Sequence, residues 1–190
     1  MDLRCFIAIE LPEEVKKSLR ELQSRLKAQS QAPVKWVEPS NIHLTLKFLG
    51  NVATDRVDAI AAAMSGATQG TGPFSLDVSE LGVFPNPKRV QIVWVGLGGG
   101  LEKLGALQER IEGAMGKLGF PPEKRRFTPH LTLARLRDRA TPTEREKLGR
   151  LIAETGLDSA RSFGVDSVVL MKSQLTPQGP IYSRLSAAKL

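Results

Sequence analysis

The pattern of apolar and polar residues divides the chain into alternating strands and helices. Residues 3–9 are strand-like and end at Glu10 and Pro12. The period then changes. Val15, Leu19, Leu22 and Leu26 recur at helical spacing and predict an amphipathic helix over 12–29, with Pro12 in its first turn and Glu13 and Glu14 near the positive end of its dipole. Pro33 ends that region, and 34–37 is a short extended piece. Residues 43–49 read as a strand stopped by Gly50 and Asn51, and Thr54 and Asp55 are cap candidates for an Ala-rich helix over about 54–68. Strands are predicted at about 74–84 and 90–97, joined by the turn Pro85-Asn86-Pro87. A third helix follows Gly98-Gly99-Gly100, with Leu104, Leu107, Ile111, Ala114 and Leu118 on its apolar face. Another strand lies within 127–136, a fourth helix runs from Thr141 to about 155, and the last strands cover about 163–171 and 181–186.

These elements fall into two similar halves, each with a helix, a strand carrying the same four residues, a helix and further strands. The pattern predicts an α+β fold in which antiparallel sheets pack under helices. With 190 residues and no long linker, the chain is expected to be one bilobal domain over 1–190. No apolar run approaches the ~18 residues of a membrane span. The N-terminal stretch lacks the core and cleavage site of a signal peptide, so a cytoplasmic monomer without a membrane partner is the expectation. Cys5, the only cysteine, sits among strand residues and reads as a small buried side chain. A net charge of +7 suits a polyanionic partner, although a basic surface alone is a weak signal.

The candidate chemistry is in the repeat. The chain has two histidines, and the same three residues follow both: His43-Leu44-Thr45-Leu46 and His130-Leu131-Thr132-Leu133. Chance would produce such a match on the order of once in a few thousand cases at ordinary composition. Side chains alternate faces along a strand, so each His–Thr pair shares one face while each leucine pair anchors the other in a core. If the halves pair about an approximate twofold axis, both polar pairs meet in one cleft. Two facing imidazoles suit phosphodiester cleavage: the neutral one takes a proton from water and the protonated one gives a proton to the departing alkoxide. Thr45 and Thr132 can donate to the non-bridging phosphate oxygens. This scheme needs no metal or other cofactor, and two histidines without further ligands fall short of a zinc site.

At these motifs the sequence resembles the two-histidine (2H) phosphoesterase superfamily, most closely its RNA 2′,3′-cyclic phosphodiesterases, also called 2′-5′ RNA ligases. The resemblance covers essentially the whole chain and is carried by residues 4–12, 36–50 and 129–135. It implies two antiparallel sheets facing across a central cleft with helices outside, and hydrolysis of an RNA or oligonucleotide cyclic phosphate end to a 2′-phosphomonoester. It also implies His130 as the base and His43 as the acid, an order that chemistry alone leaves open. Joining RNA ends through a 2′-5′ bond, by a 5′-hydroxyl in place of water, is one alternative; a non-catalytic RNA-binding module is another.

Arg135 and Phe48 each lie five residues after a motif histidine. On a regular strand Arg135 faces away from His130, but where the strand bends its guanidinium could reach the phosphate. The resemblance favours this anion-binding role, with a surface salt bridge as the alternative. Phe48 is a candidate for stacking on a base or a core residue. Trp36, Arg4 and Tyr182 are weaker groove candidates, and Lys124-Arg125-Arg126 is either a solvated loop or a guide for RNA.

Overall fold

In a computed structural model, residues 2–157, 161–177 and 179–190 are described. The strands are β1 (Asp2–Glu10), β2 (Val34–Trp36), β3 (His43–Ala53), β4 (Phe74–Phe84), β5 (Ile92–Gly99), β6 (His130–Leu136), β7 (Ser162–Val165), β8 (Ser167–Thr176) and β9 (Gly179–Lys189). The helices are α1 (Glu13–Gln29), α2 (Val57–Thr68), α3 (Leu101–Lys117) and α4 (Pro142–Glu154). The strands form two sheets, in the orders β3-β1-β8-β9 and β2-β6-β5-β4-β7, and their pairings are antiparallel. The α+β fold with two antiparallel sheets is therefore as expected.

One continuous cluster of buried side chains joins both sheets to their helices. Val15, Leu19, Leu22 and Leu26 of α1 lie in it, as do Leu104, Leu107 and Ile111 of α3; Ala114 and Leu118 pack at its edge. Motif leucines Leu44, Leu46, Leu131 and Leu133 are all buried. A smaller cluster of Phe6, Ala8, Val169 and Met171 covers the opposite face of the first sheet, with Tyr182 against it.

Some boundaries differ from the expectation. β3 continues past Gly50 and Asn51 to Ala53, because Gly50 takes a φ of +70° and the strand keeps its partners on β1. Residues 54–56, which include both expected cap residues, form a 3-10 turn, and α2 starts behind Arg56 without a side-chain cap. Residues 127–129 are not strand. The expected single strand at 163–171 is two strands in different sheets, β7 and β8, separated by Asp166. α4 begins with a reciprocal capping box: Glu144 N–H donates to the Thr141 hydroxyl, and Thr141 N–H donates to the Glu144 carboxylate.

Candidate active site

The connection between β2 and β3 brings the two motif strands together. β2 pairs with β6, the second motif strand. Val37 N–H extends that pairing to the Leu133 carbonyl at 2.9 Å, and a 3-10 turn at Pro39–Asn41 then leads directly into β3, the first motif strand. The chain thus crosses from one sheet to the other within a few residues, and β3 packs beside β6.

Both motif strands contain the same β-bulge. Against β1, Ile7 faces Lys47 and Ala8 faces Thr45, so Leu46 has no partner. Against β5, Val93 faces Ala134 and Trp94 faces Thr132, leaving Leu133 without one. In each copy two successive residues are buried, Leu46 with Lys47 and Leu133 with Ala134. The alternation shifts by one, as an inserted residue requires. Phe48 and Arg135 therefore share the face of His43, Thr45, His130 and Thr132. This corrects the regular-strand expectation that Arg135 faces away, and Phe48, 64% exposed, is not a core residue.

Two buried glutamines satisfy the bulge carbonyls reciprocally. Gln23 of α1 donates to the Leu133 carbonyl at 3.0 Å and to the Val37 carbonyl at 2.8 Å. Gln108 of α3 makes a longer bond, 3.5 Å, to the Leu46 carbonyl. Each helix thus supports the motif strand of the other half. Sequence reasoning singles out neither glutamine, because a lone Gln among apolar helix positions carries little signal.

The histidines repeat a second device. His43 Nδ1 lies 2.8 Å from the Asn41 carbonyl, and His130 Nδ1 lies 2.7 Å from the Thr128 carbonyl. A carbonyl oxygen only accepts, so both Nδ1 atoms carry hydrogen and both Nε2 atoms are left for proton exchange with a ligand. Asn41 also donates its side-chain amide to the Pro180 carbonyl at 2.9 Å, tying this linker to the start of β9. Among the described residues, no hydrogen bond engages the hydroxyl of Thr45 or Thr132.

The rings around the histidines differ. His43 stacks on Phe6, with centroids 4.7 Å apart, and meets the edge of Tyr182 at 5.2 Å. Burial pushes the His43 imidazole below its ordinary value, opposed by the Asn41 hydrogen bond and the Glu10 carboxylate. His130 meets Phe84 edge-on at 5.2 Å and Trp94 at 6.4 Å. Trp94 lies over Gly82, where a Cβ would come within 2.3 Å of its ring. Sequence reasoning misses Phe6, Phe84 and Trp94, because they sit on neighbouring strands and only the strand register brings them to the histidines.

Tyr182 lies on the His43 face of the first sheet, edge-on to Phe6 and His43. Burial raises its hydroxyl pKa, while Arg135 from one sheet and Arg4 from the other act in the opposite direction. Glu10 forms an ion pair with Arg184. Trp36 instead lies on the helix side, with the Lys27 ammonium 5.5 Å from its ring centroid. Cys5 is buried, and burial raises its thiol pKa. Lys124, Arg125 and Arg126 are exposed in the loop before His130. Among the described residues there is no group of three or more His, Cys, Asp or Glu that could hold a metal ion, and no helix is long and apolar enough to cross a membrane.

Two sheets joined edge to edge by a short crossover, with a bulged H-L-T-L strand on each, define the two-histidine phosphoesterase architecture. The LigT-like phosphoesterase family model matches residues 9–94 and 98–182, each segment holding one motif, and the chain belongs to that family. A curated RNA 2′,3′-cyclic phosphodiesterase from Methanothermobacter thermautotrophicus is 37% identical over the full length of both chains. One from Aeropyrum pernix is 38% identical, over 85% of this chain and 89% of its own. Among solved structures, E. coli LigT complexed with 3′-AMP superposes with a TM-score of 0.75 at 25% identity, covering 100% of this chain and 99% of that one.

Proposed function

We propose that this chain hydrolyses RNA 2′,3′-cyclic phosphate ends to 2′-phosphomonoesters, with His43 and His130 as the proton-transfer pair and residues 1–190 as one catalytic unit. The carrying observation is the repeated Nδ1–carbonyl bond, which leaves both Nε2 atoms as the working atoms of the pair. Water attacks phosphorus and the P–O3′ bond breaks. His130 Nε2 takes the proton from water, and His43 Nε2–H gives one to the departing 3′-oxygen. The Thr45 and Thr132 hydroxyls and the Arg135 guanidinium bind the non-bridging oxygens, and Phe48 stacks on the terminal base.

The relatives' names support this substrate; the order of the two histidines rests on the family resemblance. Burial works against His43 as acid, since it favours the neutral ring. A bound phosphate monoanion acts the other way, favouring the imidazolium. The protein should convert a short RNA with a cyclic phosphate end to a 2′-phosphate product in the presence of chelator. His43→Ala and His130→Ala should each reduce kcat by about 10²–10⁴-fold. Turnover that appears only when a divalent metal is supplied would overturn the mechanism.

A further inference from the structure

A row of cations leaves the cleft in one direction. Lys35 of β2 lies directly opposite Arg135 of β6, so the two share the sheet face that carries His130 and Thr132. Both are exposed, and like charges in register destabilise an antiparallel pair. Beyond them the chain turns through Arg137, Asp138 and Arg139 before α4, held by Arg137 N–H to the Pro33 carbonyl at 2.9 Å and Ala140 N–H to the Arg137 carbonyl at 3.0 Å. Residues 31–34, Arg137, Arg139, Thr141 and Glu144 line an open groove of about 630 Å³.

The acids nearby offset this row only in part: Arg139 interacts electrostatically with the Glu144 carboxylate at the groove's end. Among the described residues, Lys35, Arg135, Arg137 and Arg139 form no salt bridge with Glu38, Asp138 or Glu144. The Glu144 carboxylate is turned onto Thr141, accepting its N–H at 2.7 Å and its hydroxyl at 2.9 Å. Lys35, Arg135 and Arg137 without paired acids, followed by Arg139 partly offset by Glu144, run from the candidate site into a groove and suit a flexible polyanion that enters the site by one end.

We propose that the unpaired RNA segment on the 5′ side of the cyclic phosphate runs over Lys35 and Arg135 into the groove beside Arg137 and Arg139. The preferred substrate class is then a single-stranded oligonucleotide rather than a mononucleotide. This rests on the proposed function and extends it from the reacting end to the body of the RNA.

The test compares kcat/KM for a mononucleoside 2′,3′-cyclic phosphate with that for a short unpaired oligonucleotide ending in the same nucleotide. The oligonucleotide should be favoured by about tenfold or more at low salt, with the advantage falling as salt rises. A Lys35→Ser/Arg137→Ser/Arg139→Ser variant should bring the ratio close to one and flatten its salt slope by about 0.7 for each phosphate no longer neutralised. Equal kcat/KM for the two substrates in the native protein, or a ratio the triple variant does not move, would overturn the track. If neither substrate is turned over, the functional reading fails. Fluorescence anisotropy with the same oligonucleotide then decides the track separately: weaker binding by the triple variant supports it, and equal binding removes it.

Discussion

The two motif strands invite comparison because their first four residues are identical. Each carries the same bulge, the same Nδ1–carbonyl bond and a buried glutamine from the opposite half. They diverge from the residue after the bulge leucine. In β3 that inward residue is Lys47, whose ammonium reaches Glu112 at 2.5 Å and the Pro121 carbonyl at 3.0 Å. Its counterpart in β6 is Ala134, buried among apolar side chains. The next residue shares the face of the motif histidine and is an aromatic ring in β3 but a guanidinium in β6. The duplicated backbone thus places equivalent positions, while the side chains there make one lobe suited to a base and the other to an anion. The histidines differ in the same way: His43 stacks on Phe6 with Tyr182 edge-on and a carboxylate near, and His130 is met only edge-on.

The sharpest way to break this comparison is to ask which histidine is the acid. A substrate with sulfur as its 3′ leaving atom needs no proton donor. It should recover most of the ~10²–10⁴-fold loss caused by His43→Ala and little of that caused by His130→Ala. The reverse pattern would exchange the roles. Next is Lys47→Ala, which copies β6 into β3 and leaves the Glu112 carboxylate without its cation. It should cost about 3–5 kcal/mol, read as a lower denaturant midpoint; a midpoint within error of the native protein would show the bulge residues to be interchangeable. Thr45→Val and Thr132→Val should each lower kcat by about a hundredfold if both hydroxyls stabilise developing charge. A large loss for one and none for the other would show that the halves do not share the phosphate.

Smaller effects should separate the two faces. Phe48→Ala should weaken binding by about 1–3 kcal/mol for a substrate with a base, through the absence of stacking, and have little effect on one lacking it. The smallest concerns pH. Because the His43 value is lowered in the free protein, one inflection of kcat/KM should fall below the ordinary histidine value of about 6.5 and move up in kcat, where bound phosphate favours the proton. The unfolded chain takes up that proton first, so His43 should also lower stability as pH falls from about 6.5 towards its folded value. A His43→Asn variant should lack that part of the pH dependence in thermal unfolding.

Much of the fold is legible in the sequence because its signals are local. Helical spacing places α1 and α3, and prolines and glycines mark most turns. The boundaries differ where pairing outweighs local propensity, as at Gly50, or where the chain changes sheets at Asp166. The motif repeat identifies both histidines and both threonines without any knowledge of their neighbours. The facing of Arg135 is not legible, because strand parity assumes regular pairing and the bulge exists only once β5 is beside β6. Phe6, Phe84, Trp94, Gln23 and Gln108 stay hidden for the same reason: their importance comes from side chains distant in sequence.

By itself, the sequence determined the duplicated strands, the apolar faces that bury them and the chemical groups available for proton transfer, since these follow from residue type and short-range period. Only the tertiary structure decided which way each side chain points past the bulge, which ring nitrogen is held by a carbonyl and which cations lie in register. These depend on strand register and sheet crossover, which are settled by packing between segments far apart in the chain.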